Sequence, residues 1–218
     1  MKKWISLFLA LALALGCMSF AAAEETRTFT DSTGRTVEVP ANITKFAISG
    51  PLTQIVIFAL APDKLVGVSS DWSEEAKAFI SEEAYNLPKL GQLYGGKSEM
   101  NLEELLASGA QVVIDVGEPK NTVKEDMDAL TEQTGIPFVH ITATLATFGD
   151  AYEMLGDLLG MPEEAAVLAD YCREIYARGK DISEKAELKN LLYVSGAEGH
   201  NVIAKSSYHS EVIDMLSN

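Results

Sequence analysis

The sequence predicts an α/β fold of two lobes connected by one long helix, with most of the second lobe missing from the chain. Short β-rich runs alternate with helical segments over residues 24–145, which is typical of a lobe built around a parallel sheet. A stretch with helical apolar periodicity then runs from Pro162 to about Ala186. After it, Asn190–Ser195 has the composition of a new strand and Glu211–Leu216 that of a new helix.

The first 23 residues have the features of an export signal. Lys2 and Lys3 precede the apolar run Trp4–Leu15, which is too short to span a bilayer comfortably, and Ala21–Ala23 offers the small residues that a signal peptidase needs. A second outcome stays open, in which Cys17 is lipidated and becomes the first residue of the mature protein. Both outcomes predict an exported protein, in the periplasm or on the outer face of the cytoplasmic membrane.

Composition excludes several classes of partner. The chain has a formal net charge of −15, and since its first 23 residues hold two lysines and no acidic residue, residues 24–218 carry −17. Such a charge argues against nucleic acids and anionic membrane surfaces as partners. The only cysteines are Cys17 and Cys172, so no disulfide framework is expected. A soluble monomer is the expected state.

The first half of the N-terminal lobe can be assigned from turn and helix-start residues. Two runs flank the turn residues Asp31–Gly34 and predict a hairpin, and Lys45–Ser49 predicts a short strand. Pro51 suits the first helical position, and the following residues to Ala61 are apolar nearly all round, so this helix should be buried. Lys64–Ser69 predicts the next strand, and Ser73 can cap a helix that reaches Ile80.

The elements in the second half of this lobe can also be assigned from the sequence. Asn101 can cap a helix that Gly109 ends. Gln111–Val116 predicts a buried strand of the kind that parallel sheets use. The amphipathic segment Asn121–Thr134 predicts another helix, and Ile136–Ile141 predicts a further strand.

The remaining residues predict a helical linker, 146–187, and the start of a C-terminal α/β lobe, 188–218. The linker would hold the helix Phe148–Leu159, ended by Gly160, and the long helix that Pro162 opens. One strand and the start of a helix cannot bury a core of their own. We therefore expect a second lobe that is cut short at Asn218; the alternative is that this tail packs onto the first lobe.

This order of elements resembles the substrate-binding proteins of ABC importers for iron chelates and vitamin B12. The segments that carry the resemblance are FTDSTGRTVEVP at 29–40, KFAISG at 45–50, APDKLVGVSS at 61–70 and KLGQLYGGKSEMNLEELLASGAQVVIDVG at 89–117. The resemblance covers residues 26–218. It implies a protein that is not an enzyme and has no cofactor, holds a metal chelate between two lobes, and presents it to a membrane permease. A ferric siderophore is the first candidate ligand, with a corrinoid or haem next.

Several residues are candidates for contact with the ligand, because ligands of open α/β sheets collect at the carboxyl ends of the strands. Ser49, Gly50, Pro51 and Leu52 form the start of a helix, whose free backbone N–H groups could meet an anionic chelate; the alternative is that they form only a tight turn. Trp72 could lie on a chelate face or could plug the core below the next helix. The other candidates of this kind are Tyr94, on a polar loop, and Glu118, which could bind a cationic group or be merely solvated.

Three further residues are candidates through the resemblance alone. It implies that His200 and Tyr208 face the cleft, and that Glu103 matches an exposed carboxylate that docks onto permease arginines. Glu103 also suits the first turn of a helix because of the helix dipole, and both roles can hold together. By contrast, His140 falls within a predicted strand, where a hydrogen-bonded core histidine is the better interpretation.

Other functions fit the sequence less well. A protein for bare Zn²⁺ or Mn²⁺ needs several converging His and carboxylate ligands, and only three histidines are present. A secreted α/β enzyme or sensor would need a nucleophile beside a base, and no G-x-S-x-G motif exists. Residues 91–98, GQLYGGKS, match the P-loop pattern, but Pro88 breaks the preceding segment and the next helix starts better at Asn101. Nucleotide binding is therefore not expected.

Overall fold

The computed structural model describes residues 25–94 and 99–218. The predicted export signal, with its possible lipid attachment at Cys17, lies outside the described residues, as do Gly95–Ser98. No helix in the described part of the chain is long and apolar enough to cross a membrane.

A hairpin opens the structure and confirms the first predicted element. Strands β1 (Thr26–Thr30) and β2 (Thr36–Pro40) pair antiparallel, with Phe29 opposite Val37. The buried Asp31 organises the turn, because its Oδ1 accepts hydrogen bonds from the backbone N–H groups of Thr33 (2.9 Å) and Arg35 (3.1 Å). Its Oδ2 forms an ion pair of 3.0 Å with the Arg35 guanidinium.

The core of the structure is a three-stranded parallel sheet in the order β3-β4-β5. The strands are β3 (Phe46–Ile48), β4 (Val112–Gly117) and β5 (Phe138–Thr142). Alternate side chains enter two separate apolar clusters, one on each face of the sheet. Both faces are covered, which explains why apolar residues in these strands do not alternate with exposed polar ones.

Helices α1 (Pro51–Phe58), α2 (Glu82–Tyr85), α3 (Leu102–Ser108) and α4 (Val123–Thr134) complete the first lobe. As predicted, Pro51 is the first residue of α1. The Asn101 side chain caps α3, because its Oδ1 accepts from the N–H groups of Glu103 and Glu104 at 3.1 and 3.2 Å. Gly109 ends α3 and Gly135 ends α4, both with left-handed backbone.

The prediction of a strand at Lys64–Ser69 was wrong. Pro62–Lys64 forms a 3-10 turn, and the following residues make only isolated parallel bridges, Phe46 with Leu65 and Val68 with Lys89. The segment thus changes its partner half-way, so neither pairing is long enough to be a strand. The helix expected from Ser73 to Ile80 is a 3-10 helix, Glu74–Ala78.

Two helices follow the sheet. Helix α5 (Phe148–Leu159) ends at Gly160, and α6 (Pro162–Lys185) has 24 residues, a length of about 36 Å at 1.5 Å per residue. The ends of both helices were predicted to within two residues. Arg173 of α6 ties the pair together, since its guanidinium lies 2.6 Å from Asp150 and 2.7 Å from Glu153 of α5.

The residues after α6 form a small unit of short elements. The predicted strand Asn190–Ser195 is reduced to β6 (Val194–Ser195), which pairs antiparallel with β7 (Asn201–Val202). A 3-10 turn, Tyr208–Ser210, then leads into α7 (Glu211–Leu216), as predicted for this helix. The division into an N-terminal lobe, 24–145, a linker, 146–187, and a C-terminal lobe, 188–218, stays a prediction.

Candidate functional site

A polar cavity of about 560 Å³ lies beyond the carboxyl ends of β4 and β5, where the first lobe meets the 3-10 turn before α7. This is the edge of a parallel sheet at which ligands usually bind, and the volume suits a small molecule. Its lining is Glu118, Pro119, Thr144, Leu145, Ala146, Tyr176, Lys180, Ser183, Ser206, Ser207, Tyr208, Glu211, Asp214 and Met215. We refer to this space as the strand-end cavity.

Two of the predicted ligand contacts, Glu118 and Tyr208, line the strand-end cavity. Glu118 directly follows β4 and is exposed. The Tyr208 hydroxyl donates to the Ala143 carbonyl at 2.9 Å. Burial, and then the negative charges of Glu211 and Glu118, raise the pKa of the Tyr208 phenol. Tyr208 therefore stays protonated at neutral pH and keeps its hydrogen bond to the Ala143 carbonyl.

Glu211, which sequence reasoning did not single out, fixes the loop after β5. Its Oε2 accepts a hydrogen bond of 2.8 Å from the Leu145 N–H. Asp214 fixes the 3-10 turn before α7, because its Oδ2 accepts hydrogen bonds from the Ser206 N–H at 2.7 Å and from the Ser210 hydroxyl at 2.6 Å. The Ser210 and Ser206 hydrogen bonds lower the pKa of Asp214, so an acidic group persists beside the cavity at neutral pH.

The Ser49 side chain is already hydrogen-bonded within the protein. It is buried, and its hydroxyl donates to Asp115 Oδ1. Its Oγ also lies 3.1 Å from Thr53 Oγ1. The hydroxyl instead belongs to a polar layer beneath the site, which continues from Asp115 to His140 and Thr142.

The turn at Gly50 and Pro51 has the open geometry that ligand contact would need. Gly50 has extended backbone (φ −179°), and a Cβ placed on it would have no atom within 4 Å. Pro51 is exposed, whereas Leu52 packs partly against the core. A Cβ placed on Gly117 would lie 3.4 Å from the Leu52 side chain and 3.9 Å from the Tyr208 hydroxyl, so Leu52 and Tyr208 both lie close to the end of β4.

The Trp72 side chain packs against the core. Its ring meets Phe58 edge-on, with 5.0 Å between centroids, and its indole N–H donates to the Ala84 carbonyl at 3.1 Å. Gln54, which sequence reasoning missed, holds the preceding loop. Its buried Oε1 accepts from the Ser69 N–H and hydroxyl, both at 2.9 Å.

Tyr94 was expected to be exposed and is half-buried. Its hydroxyl donates to Asp126 Oδ2 at 3.1 Å, near the start of α4. Burial, followed by the charge of Asp126, raises the Tyr94 pKa well above its usual range. Tyr94 thus ties its own loop to the start of α4 and does not line the strand-end cavity.

His200 and Glu103 lie away from the strand-end cavity. His200 is exposed, and its Nδ1 lies 3.4 Å from Glu198 Oε2. Glu103 is exposed in the first turn of α3, which satisfies the geometry of both roles expected for it. The roles of His200, Glu103 and the other predicted site residues stay predictions.

No group of three or more His, Cys, Asp or Glu side chains that could hold a metal ion occurs within residues 25–94 and 99–218. The lining of the strand-end cavity consists of hydrogen-bonding, charged and apolar side chains. Asp115, Thr142 and Gln54 could not be assigned from the sequence, because a lone polar residue in an apolar strand or helix does not indicate its partner.

Solved structures with a closely similar fold supply the comparison. An ABC transporter solute-binding protein from Sulfurospirillum deleyianum superposes with a TM-score of 0.77 at 23% identity, over 88% of this chain and 61% of the other. The chain has the fold of ABC transporter solute-binding proteins. A periplasmic solute-binding protein from Veillonella parvula gives a TM-score of 0.65 at 26% identity, over 88% and 58% of the two chains.

The same solute-binding-protein fold occurs in the haem-binding protein RhuT from Roseiflexus, with a TM-score of 0.55 and 19% identity over 80% of this chain and 65% of the other. No protein-family profile matches the sequence, and no curated protein is significantly similar to it. The chain spans about 60% of the length of the first two solute-binding proteins.

Proposed function

We propose that the protein is an exported solute-binding protein that captures a metal chelate and delivers it to the permease of an ABC importer. The observation that carries this proposal is a cavity at the strand ends of a solute-binding-protein fold. The proposal includes secretion through the 1–23 signal, with a lipid anchor at Cys17 as the alternative, and action as a monomer. A ferric siderophore is the first candidate ligand, with a corrinoid or haem next.

The charges around the strand-end cavity support chelates of low negative charge. Glu118, Glu211 and Asp214 contribute carboxylates, whereas Lys180 is the cation among the lining residues. Two of these carboxylates already accept hydrogen bonds, and Glu118 is exposed. A neutral or cationic chelate gains from this field, and a multiply anionic chelate must overcome it.

Bare Zn²⁺ or Mn²⁺ is the competing ligand. The absence of a suitable cluster within the described ranges 25–94 and 99–218 disfavours it. Molybdate also enters the comparison, because a molybdate-binding protein from Haemophilus influenzae shares this fold. The fold alone thus does not select the chelate, and the ligand has to be measured.

Calorimetric titration of the protein from residue 24 onward tests the proposal. The panel is a cationic ferric trihydroxamate, an anionic ferric tris-catecholate, cobalamin, haem, molybdate and ZnCl₂. We expect 1:1 binding of one of the chelates with a Kd in the micromolar range or below, and no binding of ZnCl₂. Tight binding of Zn²⁺ alone, or of none of these compounds, contradicts the proposal.

A further inference from the structure

A buried polar layer links all three strands of the sheet just below the strand-end cavity. It contains Ser49 at the end of β3, Asp115 in β4, and His140 in β5. Their side chains project from the face of the sheet that otherwise carries Ala47, Val113 and Phe138, all fully buried apolar residues. Polar groups in such a setting are costly unless they are paired.

Each member of this layer has a defined partner. The Ser49 hydroxyl donates to Asp115 Oδ1. Asp115 Oδ2 and His140 Nδ1 share a hydrogen bond of 2.7 Å, and His140 Nε2 lies 3.2 Å from Thr142 Oγ1. Within the described residues, no buried side-chain nitrogen or oxygen lacks a partner. The layer is therefore fully satisfied, which is the condition under which a polar network makes a structure rigid.

The layer also reaches the start of α1. Ser49 Oγ lies 3.1 Å from Thr53 Oγ1, and Thr53 Oγ1 accepts a hydrogen bond of 2.9 Å from the Val116 N–H. The Ser49 carbonyl accepts a hydrogen bond of 2.7 Å from the Leu93 N–H. Thus Ser49 is held from three sides, directly before the open turn at Gly50 and Pro51.

We propose that Asp115, supported by His140, is the positioning residue of the cleft-facing turn Ser49–Gly50–Pro51. The carboxyl group fixes the Ser49 hydroxyl and so sets the direction in which the chain leaves β3 and enters α1. A ligand at this turn would meet backbone whose orientation depends on a side chain that it never touches. This role in binding rests on the proposed function, but the positioning itself is a property of the free protein.

Amide hydrogen exchange of the ligand-free protein tests the positioning. Asp115→Ala removes the carboxyl group, and we expect exchange of the hydrogen-bonded amides of Gln54 and Leu93 to accelerate about tenfold or more, as expected when a buried hydrogen bond is lost. Asp115→Asn keeps an oxygen for the Ser49 hydroxyl and should restore most of the protection. Ser49→Ala removes only the hydrogen bond between the Ser49 hydroxyl and Asp115. It replaces Asp115→Ala in this test if that variant does not fold.

The control is Met127→Ala, which empties a fully buried site in the same apolar cluster without touching the polar layer. It should lower thermal stability while leaving the exchange of the Gln54 and Leu93 amides unchanged. Unchanged exchange at the turn in both Asp115→Ala and Ser49→Ala, or an equal effect of Met127→Ala there, overturns the proposal.

A binding measurement then separates positioning from stability. With the ferric trihydroxamate as probe, Asp115→Ala should weaken binding at least fivefold more than Met127→Ala at a matched loss of melting temperature. Equal losses in the two variants overturn the role in binding. If the trihydroxamate does not bind the unchanged protein, hydrogen exchange still shows whether Asp115 positions the turn. Failure of the proposed function can therefore be told apart from failure of the positioning role.

Discussion

His140 Nδ1 lies 2.7 Å from Asp115 Oδ2, and the two residues face each other in register across β5 and β4. This pair is the centre of the polar layer, and Ser49 and Thr142 extend it to either side. The layer is buried and fully hydrogen-bonded, and it lies on the same face of the sheet as the apolar cluster around Phe138. Variants can test how the surrounding lobe maintains this arrangement.

The close packing of Gly67 predicts a large effect for Gly67→Ala. A Cβ at this position would lie 2.5 Å from Leu90 Cγ and 2.9 Å from the Pro88 carbonyl oxygen. Backbone cannot yield there without breaking the bridge between Val68 and Lys89. We expect a loss of about 1–3 kcal/mol in the free energy of unfolding, measured by urea denaturation.

The control for Gly67→Ala is Gly50→Ala, since nothing lies within 4 Å of a Cβ at Gly50 and its backbone suits any residue. This variant should change stability by less than about 0.5 kcal/mol. Similar stabilities for the two alanine variants would contradict the prediction.

Asp31 is expected to account for part of the loss of stability at acid pH. Burial raises its pKa, but hydrogen bonds from Thr33, Arg35 and the His140 N–H outweigh burial, so the folded-state pKa lies below the ordinary value. Its stabilising contribution is therefore complete above the unfolded carboxyl pKa of about 4 and is lost as pH falls through the lower, folded value.

We expect Asp31→Asn to destabilise the protein by about 1–3 kcal/mol at pH 7, because an amide N–H₂ would face the Arg35 guanidinium and the His140 N–H. Denaturation between pH 7 and pH 2 should show the gap between variant and parent closing below about pH 4. A gap that stays constant over this range would refute the assignment.

Gln54→Leu should release the loop that carries Ser69 and Ser70. The substitution preserves volume but leaves the Ser69 N–H and hydroxyl without their acceptor, at a cost of about 1–3 kcal/mol. We expect faster proteolytic cleavage within residues 70–87, detected by mass spectrometry.

Ile57→Val in the same helix is the control for Gln54→Leu. It removes one methyl group from a fully buried side chain, at a cost of about 1 kcal/mol, and should not expose this loop. Equal cleavage in the two variants would show that Gln54 has no specific role in the loop.

Glu103 offers a test of the proposed permease contact. Glu103→Arg and Glu104→Arg both place a cation in the first turn of α3, where both N–H groups bind Asn101. Each should lose about 0.3–1 kcal/mol through the helix dipole. If the docking role holds, only Glu103→Arg should reduce ligand uptake by vesicles that contain the permease. Equal uptake with both variants would exclude it.

Local chemical signals predicted the elements best. Asn101, Gly109, Pro51 and Gly160 each mark a helix end through their own backbone or side-chain chemistry, and all four were placed correctly. The segment Lys64–Ser69 was misassigned because strand formation depends on partners, and its two partners lie on different sides.

The site was harder to predict than the fold. Of the two predicted residues that line the cavity, Glu118 was found because it follows a strand end, and Tyr208 was found only through the family resemblance. The burial of Ser49 depends on Asp115, which lies 66 residues later in the sequence. Pairings of this kind follow from sheet register and cannot be inferred from either residue alone.

The packing of Trp72 against the core has a practical consequence. The sequence holds two tryptophans, Trp4 and Trp72, so protein that begins at residue 24 has a single indole chromophore. Because this indole packs on Phe58 and donates to the Ala84 carbonyl, its emission will report when the 69–85 loop closes over the lobe. Stopped-flow fluorescence would then time one defined docking event during refolding, without any added label.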